Sequence, residues 1–100
     1  MRAELVTTMG TMVIQLGTVN VSRQAMAKLD EYQASHALLR HASGDWGDVC
    51  DEKWQANEDA LRKGNANAIY STYLNRDLDR FYIVTEADRK TTTILLPAEL

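Results

Sequence analysis

Apolar and polar residues alternate near the start of the chain, recur every three or four positions as far as Leu61, and alternate again towards the C-terminus. The first alternation covers residues 11–18. Met12, Ile14 and Leu16 point one way, Val13 and Gln15 the other, which predicts a strand that Gly17 ends. Before it, Leu5, Val6 and Met9 form either a short edge strand or a frayed leader within residues 1–10. A helix is then expected from Ser22, whose hydroxyl can accept from a free N–H of the first turn. Val21 and Met26 sit at the positions of a hydrophobic staple. Ala25, Leu29, Tyr32, His36 and Leu39 continue as the stripe of an amphipathic helix. This is one long helix or two, and two are favoured, with a break near residues 30–33 where Asp30 and Ser35 can cap. Gly44 stops the run, since glycine accepts the left-handed conformation after a helix end.

Ser43-Gly-Asp-Trp-Gly-Asp48 is a tight connection in which Trp46 is expected to plug the core. Asp48 is the predicted N-cap of a further helix over residues 49–63, with Asp51 at the capping-box position and Glu52 beside it. Arg62 and Lys63 fill its last turn and Gly64 closes it. Its expected inner stripe is Cys50, Trp54, Asn57 and Leu61. A buried Asn57 amide must find partners, in the 43–48 loop or at a strand end, or it costs about 1–3 kcal/mol. The remainder reads as strands over 68–74, 80–85 and 91–96, joined by short polar turns and stopped by Pro97. Such spacing forms an antiparallel meander. The whole is expected to be a single α+β domain over residues 1–100, β-α-α-β-β-β, with two or three helices on one face of an antiparallel sheet of about four strands.

Composition narrows the function. A net charge of −3 does not suit a generic nucleic-acid binder, so direct nucleic-acid binding is not expected. The charge is uneven: Asp45, Asp48, Asp51, Glu52, Glu58 and Asp59 face Lys53 alone between residues 45 and 59, a local net of −5. That segment is either a solvated helix face or a landing patch for a basic partner. The single Cys50 leaves no intramolecular disulfide and no cysteine-rich zinc site, which fits a reducing compartment. No apolar run approaches the roughly 20 residues that span a bilayer, and the N-terminus is poor as a signal peptide. A cytoplasmic location, without membrane contact, is expected.

Candidate chemistry is thin. His36, His41, Asp45, Asp48 and Cys50 are plausible ligand types, but the two histidines stand about 500° apart around a helix, and no paired metal-binding motif occurs. His36 reads as a satisfied core or boundary residue on the apolar stripe. Arg40 and His41 suit the last turn of a helix, where positive charge meets the dipole. Cys50, near a helix start, would be a nucleophile with His41 as base, but on the inner stripe it reads as an inert core thiol. In the 86–90 turn, Glu86, Asp88 and Arg89 form either a structural ion pair, with Arg89 bidentate on a carboxylate there or in the 45–52 region, or part of a recognition surface.

Arg40-His-Ala-Ser-Gly-Asp-Trp-Gly-Asp-Val-Cys, followed by Asn57, resembles a His–Gly-Asp-Trp-Gly–Cys–Asn pattern. Ile83-Val-Thr-Glu-Ala-Asp-Arg, followed by Thr92-Thr-Ile-Leu-Leu-Pro, resembles its companion. Both belong to small bacterial proteins often encoded on plasmids and other mobile elements. The likeness covers residues 40–100. Asn75-Arg-Asp stands where that family has Asp-Gly, so the turn geometry differs there. The resemblance implies no activity. It implies an accessory protein of a mobile element, of the kind that blocks a host defence such as restriction or CRISPR by binding it.

The leading expectation is therefore a non-enzymatic protein-binding module without cofactor, metal or catalytic residues. Asp45, Asp48, Asp51, Glu52, Glu58, Asp59, Glu86, Asp88 and Arg89 would meet a protein partner with a basic surface. The alternatives are a small hydrolase or metal-dependent enzyme using His41, Asp45 and Cys50, and a homodimer built through an exposed sheet edge.

Overall fold

A computed structural model describes residues 14–62 and 67–99. The expectations for residues 1–13, and for Lys63 and Gly64, lie outside them. The elements are β1 (Thr18–Val21), α1 (Arg23–Lys28), α2 (Glu31–Ala42), α3 (Asp51–Arg62), β2 (Ile69–Leu74), β3 (Arg80–Thr85) and β4 (Thr91–Leu95), followed by a 3₁₀ turn, Pro97–Glu99. The fold is α+β. The sheet order is β1-β4-β3-β2. The β2–β3–β4 meander is antiparallel as expected, but β1 lies parallel to β4, so the sheet is mixed.

The first strand corrects the sequence reading. Among the described residues it spans Thr18–Val21, and 14–17 are not strand. Gly17 precedes it with φ of 66°, where a Cβ would meet the Lys90 carbonyl oxygen at 2.2 Å. Glycine is thus the residue that lets the chain lie against the β3–β4 turn before pairing starts.

Ser22 caps α1 as expected, its hydroxyl accepting from the Ala25 N–H at 3.1 Å. The helical run then breaks after Leu29. Asp30 caps α2 by accepting from the Gln33 N–H at 2.7 Å, while the Gln33 side chain accepts from the Asp30 N–H at 3.1 Å. This reciprocal box offers the free donors of a new helix start their partners, so a second axis begins there. The break shifts the phase of the stripe. Ala25 and Leu29 are buried, but Tyr32 is 72% exposed and His36 is exposed. The buried face of α2 is Ala37, Leu38, His41 and Ala42.

The third helix begins later than predicted. Asp48 is not its cap: its N–H donates to the Thr72 carbonyl, and the Cys50 carbonyl accepts the first helical bond from Trp54. Only Asn57 and Ala60 of α3 are buried, while Cys50 and Trp54 are exposed. Two apolar clusters result. The larger joins α1 and α2 to Tyr73, Phe81, Ile83 and Ile94, and the smaller gathers Ile14, Trp46, Ala60 and Ile69. Trp46 is fully buried, as the loop reading required.

Asn57 has a specific task. β2 is an edge strand, and residues 70 and 72 turn their peptide groups away from β3. The Asn57 side chain donates to the Tyr70 carbonyl at 2.6 Å and accepts from the Tyr70 N–H at 3.1 Å. It thereby stands in for a neighbouring peptide. One residue pair further on, the Thr72 N–H donates to the Trp46 carbonyl and the Thr72 carbonyl accepts from Asp48. The 46–48 loop and one helical amide therefore close an edge that would otherwise recruit another strand.

Candidate functional site

Local geometry first disposes of the nucleophile arrangement. His41 is completely buried. Its Nδ1 is hydrogen-bonded to Ser71 Oγ, and its Nε2 lies 2.8 Å from Thr85 Oγ1. Thr85 Oγ1 is in turn 2.8 Å from Thr92 Oγ1, which donates to the Leu16 carbonyl at 2.7 Å. The proton order follows from that end. Thr92 has one hydroxyl proton and gives it to Leu16, so Thr85 donates to Thr92. Thr85 must then accept from His41, so Nε2 carries the ring proton, Nδ1 is bare, and Ser71 donates to it. Burial pushes the His41 pKa down to about 3, so the ring is neutral. His41 therefore supplies no charge to the helix dipole, contrary to expectation, and both nitrogens are committed in the core. Cys50 lies at the surface. The structure does not assemble His41, Asp45 and Cys50 as base, acid and nucleophile.

The acidic segment divides into two parts. Asp45 accepts from Arg40 Nε at 2.8 Å and from the Gly47 N–H at 3.1 Å, and the Arg40 guanidinium holds its carboxyl below the usual range. Asp48 pairs with Arg80 at 3.2 Å. Glu58 accepts from Trp46 Nε1 at 3.0 Å, anchoring the buried indole. Asp59 pairs with Arg62 and accepts from Gln55. These four carboxylates serve the fold or are locally neutralised. Asp51 and Glu52 are exposed and have no side-chain partner among the described residues.

What the sequence concealed is the environment of these two acids. Residues 50–56 are all exposed, so the first half of α3 buries none of its residues against the body. Trp54, expected in the core, is 39% exposed there. Lys53 ties the segment back to the sheet, its Nζ lying 4.8 Å from the centre of the Tyr70 ring. Asp51, Trp54 and Glu58 share one helix face by spacing. An exposed indole flanked by carboxylates is the arrangement that anchors protein contacts, where aromatic side chains are enriched.

The 86–90 turn is built around Arg89, whose φ is 62°. A bidentate pair with a carboxylate is one of the two readings of Arg89 from the sequence; among the described residues Nη1 donates to the carbonyls of Asn67, Glu86 and Ala87, and Nη2 to that of Ala60. Partial burial lowers its pKa. Asp88 accepts from the Lys90 N–H at 2.9 Å and shapes the turn. Glu86 is exposed. Arg89 and the α3 end meet through Ala60, at the opposite end of the helix from Asp51 and Glu52.

Among the described residues no three His, Cys, Asp or Glu side chains converge to hold a metal ion, and no helix is long and apolar enough to cross a membrane. Compared with protein-family models, with curated proteins and with solved structures, the chain matches none of them.

Proposed function

We propose that the protein is a non-enzymatic protein-binding module and that the N-terminal half of α3 is its recognition element. The observation that supports this reading is the run of exposed residues 50–56, with the half-exposed Trp54 one turn from Asp51, and with Asp51 and Glu52 free of side-chain partners among the described residues. A helical segment with no buried residue contributes little to the core, and a half-exposed indole gains by being buried against a partner. The two carboxylates select a partner with a basic surface and speed its encounter. The other predicted acids, Asp45, Asp48, Glu58 and Asp59, support the element rather than contact the partner. The resemblance of residues 40–100 to mobile-element proteins favours a nucleic-acid-binding host defence protein as that partner, since such surfaces are basic.

The test is quantitative capture from a host lysate by the wild type and by two variants, Trp54→Ala and Asp51→Lys with Glu52→Lys. Both variants are expected to fold normally, because the altered side chains are exposed, and to lose at least about tenfold in capture. Equal capture by all three proteins refutes the reading.

A further inference from the structure

Side chains alternate across the sheet, and α1 and α2 pack on the face that carries Tyr73, Phe81 and Ile83. Tyr70, Thr72 and Tyr82 stand on the opposite face. Thr72 is the cross-strand partner of Tyr82 and lies two residues from Tyr70. A short side chain between two tyrosine rings leaves a hollow in that face. Residues 48–53 form its other wall, and the resulting cavity is about 530 Å³. That is the size of a small-molecule site.

The polar groups around this cavity are uncommitted. Thr72 is only 4% exposed, yet its hydroxyl has no hydrogen-bond partner among the described residues. None of those residues has a side-chain polar atom that is both sealed from solvent and unpartnered, so the Thr72 hydroxyl opens into the cavity. The Tyr70 and Tyr82 hydroxyls have no partner among the described residues either. Lys53 Nζ, 4.8 Å from the centre of the Tyr70 ring, pairs with no carboxylate there. Arg80 reaches the cavity from β3 and holds Asp48 at 3.2 Å, the one acid among the lining residues. Two cations and one carboxylate give the cavity a net charge of +1, inside a segment whose own net is −5. Asp51 and Glu52 do not line it.

We infer that this cavity is a binding site for a free nucleoside monophosphate. A phosphate monoester is close to a dianion at neutral pH and suits two cations beside a hydroxyl donor. Lys53 and the Thr72 hydroxyl donate to its oxygens, and Arg80 has donors left beyond those that Asp48 takes. The base stacks on the Tyr82 ring, as bases do on exposed aromatic side chains. The Asp48 oxygen that Arg80 does not bond is there to accept from a ribose hydroxyl. A longer strand is disfavoured, because the chain carries a net −3 and the acids of α3 flank the cavity. Trp54 does not line the cavity, so this site and the protein contact proposed for α3 can fail separately.

The probes are the 5′-monophosphates of adenosine, guanosine, cytidine and uridine, titrated into the full chain and followed by calorimetry and by amide and methyl NMR. Inorganic phosphate, the four nucleosides and a 5′-phosphorylated tetranucleotide are the comparisons. The expected result is binding of at least one monophosphate with shifts at Val49, Tyr70, Thr72 and Tyr82, at least about tenfold tighter than its nucleoside, inorganic phosphate or the tetranucleotide. Lys53→Gln should weaken it at least about tenfold, for a lost charge-assisted hydrogen bond. Tyr82→Leu should weaken it at least about fivefold, for a lost stacking surface. Lys90→Gln, which removes an exposed cation that does not line the cavity, should leave it unchanged. Lys53 is exposed, so its variant decides the matter if Tyr82→Leu fails to fold. No binding of any monophosphate, equal binding of inorganic phosphate or of the nucleoside, or an equal effect of Lys53→Gln and Lys90→Gln overturns the inference. Tighter binding of the tetranucleotide also overturns it, because the ligand is then the end of a strand.

Discussion

Acidification from neutral pH should destabilise this protein through His41. The ring is neutral, fully buried and hydrogen-bonded at both nitrogens, with a pKa of about 3 against an ordinary 6.5. A folded pKa below the unfolded one means that the unfolded chain binds the proton more readily. Stability is therefore complete above pH 6.5 and declines as pH falls from there towards 3. The slope is about 1.4 kcal/mol per pH unit, so about 2 kcal/mol is lost by pH 5 and about 5 kcal/mol in full. For a domain stable by roughly 5–15 kcal/mol that is a large fraction. The Arg40 guanidinium holds the Asp45 carboxyl below its usual range, so Asp45 adds nothing between pH 7.5 and 5, and the His41→Gln variant separates the His41 contribution from the rest. Urea unfolding followed by tryptophan fluorescence measures the effect, since Trp46 packs edge-on to the His41 ring at 5.8 Å. His41→Gln should be less stable at neutral pH by about 1–3 kcal/mol, because Ser71 or Thr85 loses its partner, and its stability should be flat over the same interval. A wild type that is equally stable at pH 7.5 and 5, or a His41→Gln variant with the same slope, would refute the assignment of His41 as a neutral ring held in the core.

Two further perturbations separate structural from incidental contacts. Asn57→Asp replaces the amide donor with an oxygen that faces the Tyr70 carbonyl at a buried strand edge, and a loss of about 2–3 kcal/mol is expected in the same unfolding assay. Arg80→Ala removes an exposed pair with Asp48, whose side chains are 42% and 67% accessible, and should change stability by less than about 1 kcal/mol.

Local signals in the sequence were followed closely by the fold wherever a few neighbouring residues decide the outcome. β3 has the predicted bounds, and β2 and β4 differ from theirs by one residue each. Ser22 and Asp30 cap as their side chains allow, and Asn57 finds its partners at a strand end. The misread elements depend on distant partners. Alternation runs through both Met12–Leu16 and Thr18–Val21 in the sequence, and it is pairing with β4 that selects the latter as a described strand. The α2 stripe was extrapolated across a break that resets its phase, which moved His36 out of the core and His41 into it. In α3 the 3.6-residue spacing of Cys50, Trp54, Asn57 and Leu61 is real, but only the second half of the helix buries residues, Asn57 and Ala60. The His41 chain needs Thr85 and Thr92 to be cross-strand partners, and that register is set by pairing rather than by either strand alone.

Hydrogen exchange on the chain bound to its captured partner tests the central proposal most directly. Residues 50–56 are exposed in the free protein, and their amides should exchange more slowly in the complex, while those of the buried residues around His41 keep their rates. Unchanged exchange over 50–56 in a saturated complex, with protection elsewhere, would contradict a recognition role for the first half of α3.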